Sequence, residues 1–174
     1  MDTITKYNIP TSWDDITVKQ FEEIVRLNGL KETYDTELEF GLRIISVIVD
    51  IPYKDLLVLD AKEFAEINEA LDWSNKEIVG NKKNDYVIDG VKYVAVTKYN
   101  GLTVGEAIDA ELIIKDSEPE KLLSNLLPLL VRKGVYKDKK WLPGEFDADN
   151  YKENIEFLSS KLSITDVVHI KDFF

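Results

Sequence analysis

The stretch Tyr86-Val87-Ile88-Asp89-Gly90-Val91-Lys92-Tyr93-Val94-Ala95-Val96 decides the fold class. Two runs rich in β-branched and aromatic residues flank an Asp-Gly pair, which supplies the positive φ angles of a two-residue hairpin turn. A hairpin near 86–96 is therefore expected. Two strands alone are marginal in water, so this pair must lean on helices or on a partner's strand.

Outward from the hairpin the sequence reads as helix. Six pairs have the form of a helix start, in which a capping side chain accepts a backbone N–H and an acid or amide three residues on reaches back. They are Thr17 with Gln20, Thr36 with Glu39, Asp60 with Glu63, Thr103 with Glu106, Ser117 with Glu120, and Ser163 with Asp166. The first helix should run from Val18 to Asn28, with Val18, Phe21, Ile24 and Val25 inside and Gly29 as its stop. Residues 37–49 are apolar almost all round and read as the central buried helix, ended by Pro52. A short helical turn over 53–57 and a helix opened by Asp60 follow. After Thr103 the inner stripe is Val104, Ala107, Ile108 and Leu112. A Leu-rich helix comes next, and Pro128 within it should kink it or end it early. Helices over 150–162 and from Ile164 onward complete a mainly α, α+β fold of about seven to eight helices with one inserted hairpin.

Two stretches read as irregular. Residues 74–85 are polar and contain Gly80, the signature of a mobile loop. Residues 132–144 carry Arg132, Lys133, Lys137, Lys139 and Lys140 against Asp138 alone. No fixed-period repeat or low-complexity tract is present. The chain reads as a single mainly helical domain over 1–174, or as two lobes, 1–73 and 101–174, joined through 74–100.

Composition removes most catalytic classes. The 174 residues include 33 acids against 22 Lys and Arg, a formal charge of -11, with no Cys and one His. At 44% hydrophobic the chain has the composition of a folded domain. Without Cys there are no disulfides, thiolate metal sites or cysteine nucleophiles. His169 has no second His with which to hold zinc and reads as a solvated or hydrogen-bonded terminal residue. No glycine-rich phosphate loop occurs. The close acid pairs Asp14-Asp15, Glu22-Glu23 and Asp147-Asp149 read as first-turn acids or, for the middle pair, as an exposed helix face. No catalytic residue, cofactor or metal is assigned.

The basic stretch interleaves cations with Tyr136 and Trp141, a pattern shared with nucleic-acid contacts, but the net charge of the chain opposes a polyanion. A solvated loop or contact to an acidic protein neighbour is preferred. Trp13 and Trp73 read as core plugs, whereas Trp141 and Phe173-Phe174 suit core or contact equally. The candidate protein-contact residues are Tyr136, Lys139, Lys140, Trp141, Tyr86, Tyr93, Phe173 and Phe174. No signal peptide or spanning segment is apparent, so a cytoplasmic setting is expected.

Three blocks carry a resemblance. They are Ile9-Pro10-Thr11-Ser12-Trp13-Asp14-Asp15-Ile16-Thr17 with Phe21, then Ile44-Ile45-Ser46-Val47 through Ile51-Pro52, Leu56, Leu59-Asp60 and Phe64, and finally Leu102-Thr103-Val104-Gly105-Glu106-Ala107-Ile108-Asp109 before the Leu-rich helix. The chain resembles small morphogenesis proteins of tailed bacteriophages, both neck or tail virion components and tail assembly chaperones. The resemblance implies a non-enzymatic protein that works by contact, as a homo-oligomeric ring subunit near the portal or tail. It would act in the host cytoplasm during assembly and then in the virion, with itself and other phage structural proteins as partners and with no membrane, nucleic-acid or small-molecule ligand. The alternatives are a tail assembly chaperone absent from the mature particle, and an acidic inhibitor that mimics DNA.

Overall fold

The computed structural model describes residues 6–81, 83–97 and 101–169. Among these the fold is mainly α with one antiparallel sheet. Helices α1 (Val18–Gly29), α2 (Glu37–Ile48), α3 (Tyr53–Leu56) and α4 (Ala61–Ala70) precede strands β1 (Asp85–Ile88) and β2 (Val91–Ala95). Helices α5 (Val104–Asp116) and α6 (Leu122–Leu130) lead into strands β3 (Val131–Lys137) and β4 (Lys140–Pro143), and α7 (Tyr151–Lys161) and α8 (Ile164–Val167) follow. No helix of the described residues is long and apolar enough to cross a membrane.

Five of the six expected caps form. Thr17 and Thr103 make complete reciprocal boxes, and Thr36, Asp60 and Ser163 each accept a backbone N–H of the first turn. The sixth fails because Ser117 ends α5, with its hydroxyl turned to the Asn125 side-chain amide at 2.8 Å. The caps also join distant parts of the chain. Thr17 and Ser163 form an antiparallel bridge, in which Val18 N–H donates to the Leu162 carbonyl at 3.0 Å and Ile164 N–H to the Ile16 carbonyl at 2.8 Å.

The central helix is α6, not α2. On α6, Leu126, Leu127, Pro128, Leu129 and Leu130 are all buried, and it packs between α5 and α7. On α2 only Ile48 is buried and Leu38 is exposed; its main neighbours among the described residues are α1 and α3. Pro128 lies inside α6, which runs on to Leu130, and its missing N–H takes the helical donor from the Ser124 carbonyl. The chain passes from Leu130 into β3 without a loop, and the freed Leu130 carbonyl accepts Val96 N–H at 2.7 Å.

The 86–96 hairpin forms in the expected register, with Asp89 and Gly90 at φ 49° and 79°. It gains its support from within the chain: β2 pairs with β3, and β3 with β4, in the order β1-β2-β3-β4. The supposedly irregular 132–144 stretch is thus mostly a second hairpin. Its turn, Asp138-Lys139, holds both residues in the left-handed region at φ 52° and 62°. Lacking glycine, it carries no strong sequence signal, which is why the pattern hid it. A lysine in this conformation costs on the order of 1 kcal/mol that glycine avoids. Lys139→Gly is therefore expected to raise the unfolding free energy by about 0.5–1 kcal/mol in urea titration; a lower midpoint would refute the strain.

The described residues of the polar stretch, 74–81 and 83–85, are held by contacts to both ends of the fold. The Lys76 carbonyl accepts the Trp13 indole N–H at 2.9 Å, and Asn81 N–H donates to the Thr165 carbonyl at 2.8 Å. The Lys83 ammonium meets the Asp166 carboxylate at 2.8 Å. A single hydrophobic cluster runs from Ile9 and Ile16 through Ile67, Tyr86 and Tyr93 to Leu127, Leu158 and Val167, drawing on both halves of the chain.

Candidate protein-contact surface

Strand alternation divides the sheet into two unlike faces. Directly paired residues share a face, so Tyr86, Tyr93, Ala95 and Val131 point one way and Val87, Lys92, Tyr136 and Trp141 the other. The first face packs on the helices. Tyr86 and Tyr93 are each only 6% exposed. The Tyr86 hydroxyl lies 3.0 Å from the Lys83 carbonyl and 2.9 Å from that of Asp166, and the Tyr93 ring lies 6.1 Å from Phe157. Burial pushes both phenols up in pKa, as expected of rings inside a core. The reading of Tyr86 and Tyr93 as contact residues is corrected accordingly: the pleat turns them inward, where they fasten the hairpin to the helices.

The second face is open at its β3–β4 end, whereas the Val94–Arg132 pair on the same face is buried. Tyr136 is 61% and Trp141 44% exposed, with ring centroids 5.4 Å apart on the non-terminal cross-strand pair of the β3–β4 hairpin. The indole lies over Gly134, where a Cβ would come within 2.9 Å of its ring. Gly134 thus leaves the space that lets Trp141 lie against the sheet. The Lys92 ammonium is 5.9 Å from the indole centroid and is paired with Asp85. Exposed Lys137, Lys139 and Lys140 surround the turn. Among the candidate residues, Tyr136, Lys139, Lys140 and Trp141 therefore come together on one hairpin. Phe173 and Phe174 lie outside the described residues. Trp13 and Trp73 pack edge to face at 5.2 Å, partly buried against the core.

Two apolar features escaped the sequence reading. On α5, Val104, Ile108 and Leu112 lie outside, while Glu106, Ala107, Ala110 and Ile113 face inward. The helix is apolar on two sides, and its small residues are what allow close packing on α6. An open apolar groove of about 510 Å³ runs between Phe21, Ile78, Ile114, Leu122, Leu123 and Val168.

The close carboxylates are occupied structurally. Asp14 accepts the Asn81 amide at 2.8 Å and the Thr165 hydroxyl, Asp15 accepts Thr11 N–H at 2.8 Å, and Asp147 accepts Asn150 N–H at 3.2 Å. Glu23 pairs with Arg26, but Glu22, expected on the same exposed face, is 3% exposed. Arg132 is likewise buried and faces Glu106 at 2.8 Å. His169 is partly exposed, and its Nδ1 is buried without a hydrogen-bond partner among the described residues.

Several of these acids titrate low. The Thr165 hydroxyl and the Asn81 amide hold Asp14 below its ordinary value, and Arg26 does the same for Glu23. Burial pushes Glu106 up, but Thr103 N–H and the Arg132 charge outweigh it and leave the carboxyl depressed. A depressed carboxyl stabilises the fold above its unfolded pKa of about 4, and that contribution is lost as pH falls through the folded value. The denaturation midpoint is therefore expected to fall progressively below about pH 4. A midpoint unchanged between pH 5 and 2.5 would contradict the assignment.

No family model, curated protein or solved structure matches the chain.

Proposed function

We propose that the chain is a non-enzymatic structural or assembly protein of a tailed bacteriophage, a homo-oligomeric ring subunit of the neck, the portal-proximal region or the tail. The observation that supports a contact role is the exposed Tyr136–Trp141 pair on a cation-flanked hairpin. Large aromatics with a polar tip carry much of the energy of protein interfaces. The phage assignment draws on the resemblance of the three sequence blocks. Partners would be copies of the chain and other phage structural proteins, met in the host cytoplasm and retained in the virion.

A second reading, a tail assembly chaperone, draws on the apolar groove beside α6, which has room for an apolar segment of an unassembled tail protein. Mass spectrometry of purified virions separates the two. A fixed copy number per particle supports the ring subunit. Absence from virions, with co-purification of tail proteins from infected cells, supports the chaperone; absence from both overturns the phage assignment.

A further inference from the structure

We propose that the β3–β4 hairpin of one copy docks on the exposed face of α5 of the next, so that the chain assembles head to tail. This inference names the contact for the self-assembling subunit proposed above, and so rests on that reading. The hairpin offers Tyr136 and Trp141 among Lys137, Lys139 and Lys140, with Asp138 as the lone acid at the turn. The α5 face offers the opposite charge. Val104 is 81%, Ile108 53% and Leu112 50% exposed, a line spaced by four residues that extends about 12 Å along the helix. Asp109, Glu111 and Asp116 are exposed on the same helix, against Lys115.

A second copy is the occupant because each face lacks what the other holds. Two chains of charge -11 repel at a distance, so self-association needs a locally attractive pairing of this kind. The hairpin and α5 share no residue, so occupying one leaves the other open. When the two faces of one copy meet different neighbours the contact is heterologous: it repeats from copy to copy and closes a ring when the rotation permits. The aromatic pair would cover the Ile108–Leu112 stripe while the lysines meet Asp109 and Glu111.

The test uses two full-length variants. Tyr136→Ser with Trp141→Ser removes the hairpin anchor, and Ile108→Lys with Glu111→Lys removes the α5 face; circular dichroism checks that both fold. Wild type should associate in sedimentation velocity as concentration rises. Each variant alone should need at least tenfold higher concentration to associate. Mixed together, they should form a 1:1 dimer and stop there, since each supplies one intact face. A wild type that stays monomeric at millimolar concentration overturns the proposal. So does a folded variant that assembles normally, or a mixture that forms no dimer. Virion mass spectrometry reports separately on the phage role: a monomer found in particles defeats only the contact, and a ring absent from particles and from tail complexes defeats only the role.

Discussion

Glu106→Ala is expected to lower the unfolding free energy by about 4 kcal/mol, the largest loss from any single exposed-looking acid in the chain. Glu106 holds two posts at once. One carboxylate oxygen accepts Thr103 N–H at 2.7 Å and completes the cap of α5. The other faces the Arg132 guanidinium at 2.8 Å, where both side chains are largely removed from water. Arg132 also donates to the Leu129 and Gly144 carbonyls, so it cannot swing out to solvent without breaking the junction of α6 and β3. Truncating the glutamate would leave a buried cation without its counter-charge, which costs about 3–5 kcal/mol, and remove a cap as well. Arg132→Met in the same background should recover part of the loss, because an apolar chain of similar length carries no charge to strand. Guanidinium titration of the two single variants and the double variant measures this coupling. Additive losses would show that the two charges do not depend on each other.

Glu22→Ala is expected to cost about 2–3 kcal/mol for a related reason. Helix α6 begins without a side-chain cap of its own. Its Ser124 N–H instead donates at 2.9 Å to Glu22, which reaches across from α1, and the Lys121 ammonium lies 3.3 Å from the other carboxylate oxygen. The most buried helix of the protein is thus capped from outside itself. Loss of Glu22 would leave a buried donor unpaired and take a negative charge from the positive end of the helix. Glu22→Gln keeps an acceptor and should lose about 1 kcal/mol. The neighbouring Glu23→Ala breaks only a surface pair with Arg26 and should stay within about 0.5 kcal/mol of wild type. Equal losses at 22 and 23 would refute the cap.

These two acids mark where sequence reading stops. Local signals were legible: the Asp89-Gly90 turn, five helix starts and the mainly helical class all depend on residues close together in the chain. Burial of a particular charge depends on what arrives from far away. Glu22 and Glu23 are chemically alike and adjacent, and only the approach of Lys121 and Ser124, about a hundred residues on, separates them. Arg132 looked like part of a basic loop because nothing nearby announces Glu106. The second hairpin was missed because Lys139 takes a conformation that sequence patterns expect of glycine or asparagine. On α5 the apolar residues on two sides left the inner face undetermined, and the reading chose the side that the structure leaves open. The contact surface was half legible. Tyr136 and Trp141 stood out by type and by their cationic neighbours, while the inward turn of Tyr86 and Tyr93 follows from a pleat whose phase only the helices set.

The bridge between Thr17 and Ser163 has a kinetic meaning. The Asp14–Thr165 hydrogen bond beside it joins residues 151 apart in sequence, so α1 is synthesised long before the segment against which its cap is fixed. A nascent chain carries α1 and the edge of the core unsealed until α8 leaves the ribosome. Closing so long a loop costs chain entropy before any contact repays it. Refolding should accordingly be slower than that of a helical bundle of equal length, and the order of translation runs against the order in which this core can be completed.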